Sequence, residues 1–210
     1  MIVINLKNYK TGNEVLELVR KIEIYYNNSI VAVPAVEIEH VVKNTSLQII
    51  AQHVDYHEIG RGTGKITPES LKAVGVGASL LNHSEFKLKP IEIKKTIKRC
   101  DEVSLKIILC VGTLKEAKDY MKYKPYAMAF EDKKLIATGK SVTSHKTHYI
   151  KEFVELLKGS EIIPLCGAGI NSGEDVASAL VLGCKGVLVS SAVAHEQNPE
   201  IFLKEMGGLF

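Results

Sequence analysis

Eight short apolar runs recur along this 210-residue chain, and the residues between them switch to helical spacing. The runs are 2–7, 30–35, 47–52, 76–82, 105–111, 126–131, 161–166 and 186–190. Most are continuously apolar, as expected for strands covered on both faces. Strict alternation of such strands with helices predicts a parallel sheet. Eight β/α units are the number that closes a (β/α)8 barrel, and 210 residues lies near the lower end for one. The expectation is therefore a single domain, residues 1–210, with short helices.

The helical stretches have clear markers. Val15, Leu18, Val19 and Ile22 fall at i, i+3, i+4 and i+7. Ile93, Ile97 and Cys100 make a second stripe after Pro90, a good first-turn residue. Tyr149, Ile150, Phe153, Val154 and Leu157 make a third, with Ser144 as a candidate cap. Thr67-Pro68-Glu69 and Ser172-Gly173-Glu174 read as helix starts, and Pro199 to Met206 as the last helix.

Chemistry concentrates where the strands end, the face on which parallel barrels build active sites. Ile2-Val3-Ile4-Asn5-Leu6-Lys7 delivers an amide and an ammonium. Asn5 and Lys7 fall on one side of the strand, so Asn5 is expected to hold the ammonium. Leu80-Leu81-Asn82-His83-Ser84-Glu85 turns from apolar residues to an imidazole, a hydroxyl and a carboxylate. Tyr126 to Phe130 ends in Glu131, a carboxylate partly withdrawn from water and the best base candidate. The chain has seven histidines. Only His83 joins a buried strand, a strand end and a carboxylate two residues on. His53 also ends a strand and is placed at the pocket edge. His145 and His148 lie at i, i+3 with no third ligand, so no metal is expected. Thr138-Gly139-Lys140, Cys166-Gly167-Ala168-Gly169 and Ser190-Ser191 follow strands six, seven and eight. Small residues there can present backbone N–H groups to a phosphate.

Composition excludes several classes. Net charge is only +3, and Arg20, Arg61 and Arg99 are the only arginines. That is a poor match to a nucleic-acid surface. The four cysteines are widely spaced with no CxxC pair, against a zinc or dithiol centre. Cys110 and Cys166 read as small core residues. Free thiols, no signal peptide and no long apolar span predict a soluble cytoplasmic protein without a membrane partner.

From Ile2 to about His195 the sequence resembles the triosephosphate isomerases, and most of all their short archaeal form. The resemblance rests on Asn5-x-Lys7, Ala51-Gln52-His53, Leu81-Asn82-His83-Ser84-Glu85, Glu131 with Ile136-Ala137-Thr138-Gly139, and Leu165 to Ile170. It implies a TIM barrel that interconverts glyceraldehyde 3-phosphate and dihydroxyacetone phosphate, in glycolysis and gluconeogenesis, without a cofactor. It implies Glu131 as the proton-shuttling base and His83 as the neutral electrophile. Lys7 then binds the anionic substrate, Asn5 orients substrate and lysine, and Glu85 supports them from behind. Ile136, Ala137, Gly169, Ser190 and Ser191 complete the substrate contacts, with residues 132–140 as a closing lid. The stretch 57–64 resembles the family's interdigitating loop, with Thr63 reaching a neighbour's Lys7 in a dimer or tetramer. The chain departs from the family at Asp132, where proline is usual, at Ala137, where glycine is typical, and at Ser190. Two other readings stay open. One is a slow or non-catalytic phosphate-binding barrel serving as sensor or scaffold; the other is a different phosphosugar enzyme.

Overall fold

A computed structural model describes residues 1–131 and 147–209 of the chain. All eight expected strands form: β1 (Ile2–Asn5), β2 (Ser29–Val33), β3 (Gln48–Ala51), β4 (Ala78–Leu81), β5 (Lys106–Val111), β6 (Ala127–Phe130), β7 (Ile163–Cys166) and β8 (Gly186–Val189). Each pairs in parallel with the next, and β8 pairs with β1, so the sheet is a closed barrel. Several strands are shorter than their apolar runs. Run 76–82 yields only Ala78–Leu81, because Asn82 turns the chain with φ +60°.

The seam between β1 and β8 depends on a glycine. A side chain at Gly186 would overlap the Met1 carbonyl, while Val187 N–H donates to that carbonyl at 3.0 Å. Elsewhere the two-residue strand period sorts side chains into two cores. Val3, Ala32, Ile50, Leu80, Ile108, Ala129, Leu165 and Leu188 pack inside the barrel. Their neighbours Ile4, Val31, Leu81, Leu109, Met128 and Val187 face outward into the layer beneath the helices.

The helices are α1 (Asn13–Tyr25), α2 (Ile38–Val42), α3 (Pro68–Ala73), α4 (Pro90–Glu102), α5 (Leu114–Tyr120), α6 (Thr147–Leu157), α7 (Gly173–Val181), α8 (Ser191–Ala194) and α9 (Pro199–Met206). None of those described exceeds 13 residues. The helix starts expected at Thr67 and Ser172 are both present, and both are capped. Thr67 Oγ1 accepts Ser70 N–H, and Ser172 with Asp175 makes a reciprocal capping box. Ser144 lies outside the described residues. Three of the described helices carry neither a stripe nor a start signal noted above: α2, α5 and α8. The α5 start is nonetheless legible, since Thr113-x-x-Glu116 is a capping pattern and Thr113 Oγ1 accepts Glu116 N–H at 3.0 Å.

Among the described residues no helix is long and apolar enough to cross a membrane.

Candidate active site

Strand parity decides which side chains reach the mouth of the barrel. Ala127 and Ala129 point inward, so Glu131, two residues on, continues that row. It is 3% exposed, a carboxylate almost wholly withdrawn from water. Val3 places Asn5 inward in the same way, and Leu188 places Ser190. His83 does not follow from parity. Its strand points Leu80 inward, and the left-handed backbone at Asn82 swings the imidazole over the opening. Asn82 is itself held by both ends of its amide. Nδ2 donates to the Cys110 carbonyl at 2.8 Å, and Oδ1 accepts Leu88 N–H at 3.0 Å.

These groups meet around one cavity, open to solvent, whose lining includes Asn5, Lys7, His83, Glu131, Gly169 and Ser190. His83 Nε2 lies 3.2 Å from Glu131 Oε1. The other ring nitrogen, Nδ1, accepts the Glu85 N–H at 3.3 Å. A nitrogen that accepts carries no proton, so the neutral ring bears its hydrogen on Nε2, the atom facing the cavity. Lys7 Nζ sits 2.7 Å from Glu85 Oε1. Glu85 thus grips the lysine with its side chain and sets the histidine with its backbone.

Asn5 holds Lys7 through its backbone and not, as expected from strand parity, through its ammonium. Its Oδ1 accepts the backbone N–H of Lys7 at 3.0 Å, while the ammonium goes to Glu85. Lys7 has φ +48°, an uncommon conformation for a side-chain-bearing residue. Gln52 secures it from the other side, Nε2 donating to the Lys7 carbonyl at 3.0 Å. A neighbouring recess shares Asn5, Lys7 and His83 and adds Gln52, His53 and Phe86, so His53 does lie at the pocket edge.

Two further residues shape the base. An ideal Cβ on Gly167 would fall 2.8 Å from Glu131 Cγ, so only glycine leaves room for the carboxylate. Cys110, read from sequence as core filler, lies inside the barrel beneath it. Burial, and then the Glu131 carboxylate beside it, push its thiol well above the ordinary range. The legible signal was its inward parity at the end of β5.

Opposite the imidazole, 167–171 and 190–191 line the cavity with small residues and backbone. Two buried side-chain oxygens that line the cavity have no hydrogen-bond partner among the described residues: Glu131 Oε2 and Ser190 Oγ. Such groups are rare unless something else completes them. Ile136, Ala137, Thr138-Gly139-Lys140 and His145 lie outside the described residues. Among those described, no group of three or more His, Cys, Asp or Glu could hold a metal ion.

Fold and site together define a class: a closed parallel barrel with a carboxylate, an imidazole and an ammonium converging beside a small-residue cradle. The family model described as triosephosphate isomerase matches residues 1–206. Proteins named triosephosphate isomerase are 38% identical in Thermoplasma volcanium (94% of each chain) and 39% identical in Saccharolobus solfataricus (95% of this chain, 91% of that one). The one from Methanocaldococcus jannaschii is 33% identical over 98% of both chains. The chain belongs to the triosephosphate isomerase family.

Proposed function

We propose that this chain interconverts glyceraldehyde 3-phosphate and dihydroxyacetone phosphate by moving a proton between adjacent carbons. The observation that carries the reading is the facing pair, His83 Nε2 and Glu131 Oε1, 3.2 Å apart in one cavity. Glu131 takes the proton from the carbon beside the carbonyl, and the electron pair moves onto the carbonyl oxygen. His83 Nε2–H and the Lys7 ammonium stabilise that oxygen as charge develops. His83 Nε2 gives its proton to that oxygen and takes the one on the neighbouring hydroxyl; Glu131 then returns its proton to the carbon that bore the original carbonyl, and the neighbouring oxygen becomes the new carbonyl. The backbone around Gly169, Ser190 and Ser191 receives the phosphate, which the ammonium of Lys7 also attracts.

Serving glycolysis and gluconeogenesis as one domain of residues 1–210, the enzyme works in the cytoplasm as a homo-oligomer, a dimer or tetramer, with no nucleic-acid or membrane partner. The loop with Ile59, 75% exposed, and Thr63 seats against a neighbour's recess beside Lys7. Purified protein given glyceraldehyde 3-phosphate, with dihydroxyacetone phosphate reduction coupled to it, tests the reaction. Turnover supports the reading; phosphate binding without turnover favours the sensor alternative. Light scattering that finds a fully active monomer refutes the oligomer.

A further inference from the structure

The loop that carries His83 is joined by an ion pair outside the cavity to Glu116 of α5, which also holds the end of β5, the strand beside the one that carries Glu131. Lys87 Nζ lies 2.9 Å from Glu116 Oε2, each side chain a little more than one quarter exposed. The same oxygen accepts the Gly112 N–H at 2.8 Å. Gly112 follows β5 and runs beside the Glu131 backbone: an ideal Cβ there would sit 3.3 Å from the Glu131 carbonyl. One residue earlier, the Val111 carbonyl accepts Glu131 N–H at 2.8 Å. On the other side, Lys87 is four residues beyond His83, in the loop that Asn82 ties through Leu88 N–H and the Cys110 carbonyl. Residues 83–88 are therefore fastened to the end of β5 twice, once by a buried amide and once by this ion pair.

We infer that Lys87 and Glu116 are positioning residues that hold the electrophile and the base at their working separation. Neither lines the cavity. The inference rests on His83 and Glu131 having the roles assigned above. A partly exposed ion pair contributes little to stability. Placement is another matter, because a misplacement of about 1 Å can lower a rate by roughly a hundredfold. The pair should therefore matter far more to kcat than to thermal stability.

The test uses the full chain with Lys87→Met, Glu116→Gln, their combination, Lys87→Arg and Glu116→Ala. The readouts are kcat and KM for glyceraldehyde 3-phosphate, inhibition by inorganic phosphate, and the melting temperature. Lys87→Met and Glu116→Gln should each lower kcat by about 5- to 20-fold, within the range misplacement allows. KM and phosphate inhibition should stay within about twofold, because the phosphate cradle is not touched. The combination should be no worse than either alone, as expected when two residues make one interaction. Lys87→Arg should recover most of the loss. Glu116→Ala should fall further, since Gly112 N–H also loses its acceptor. If kcat in Lys87→Met and Glu116→Gln stays within about twofold of the parent, or falls only with a matching drop in melting temperature and no rescue by arginine, the inference is overturned. Should Glu116→Ala not fold, those two variants decide the matter. Failure of the underlying roles would look different: His83→Ala or Glu131→Gln would retain activity.

Discussion

At the scale of single residues, the site depends on which atom carries which proton. Glu131→Gln removes the acceptor while keeping the shape, and turnover should fall by about a thousandfold, within the range for losing a general base. Steady-state kinetics check it; activity within tenfold of the parent contradicts the role. His83→Ala should lower kcat mainly, and Lys7→Ala should damage both kcat and KM, since the ammonium meets substrate as well as intermediate. Gly167→Ala is the less obvious variant. Its methyl collides with Glu131 Cγ, so kcat should fall at least tenfold in a protein that melts as the parent does. A circular-dichroism melt beside the kinetics separates displacement of the base from unfolding. Much of this was legible. Lys7, His83, Glu85 and Glu131 stand at strand ends, where the chain leaves the core. What sequence could not supply was direction. Asn82 and Lys7 adopt positive φ, and nothing local announces it, because long-range partners hold both: the Cys110 carbonyl for one and Gln52 for the other.

At the scale of elements, apolar runs located every strand, because a strand buried on both faces needs continuous hydrophobicity. Helices were legible where a long stripe or a proline marked them, as in α1, α4 and α9. The four-residue α8 and five-residue α2 escaped because a single turn has no period to detect. The segment after β3 carries a pH dependence. Burial lowers the His53 pKa from its ordinary 6.5, with Asp55 opposing. At Asp55 burial acts upward, but the Ile66 N–H, the Lys65 ammonium and His53 together hold it below 3.8. A depressed imidazole leaves the unfolded chain binding more protons, so stability falls as pH drops below 6.5 toward the folded value. A depressed carboxyl contributes stability above 3.8 that is lost as pH falls through its lowered folded value. Denaturant midpoints measured from pH 7 to pH 3 should show both losses. His53→Gln should flatten the first and only lessen the second, which the Ile66 N–H and Lys65 still support; an unchanged slope between pH 6.5 and 5 contradicts the assignment.

At the scale of the whole molecule, all four thiols are buried. Burial pushes Cys100 and Cys184 up to about 12, and raises Cys110 and Cys166 as well. An alkylating reagent at neutral pH should modify none of them in the native protein and all four in denaturant. Rapid modification of any one under native conditions would show that the barrel opens there. The closed ring also bears on how the molecule comes into being. Lys7 and Glu85 are separated by 78 positions along the chain, and the cavity draws on β1, β4, β6, β7 and β8. No contiguous fragment contains the chemistry, and β1, made first, waits for β8 to complete its second edge. Contacts of such long sequence separation are slow to form. In refolding, then, recovery of turnover should trail recovery of helical signal, and catalysis becomes a clock for the moment the first strand meets the last.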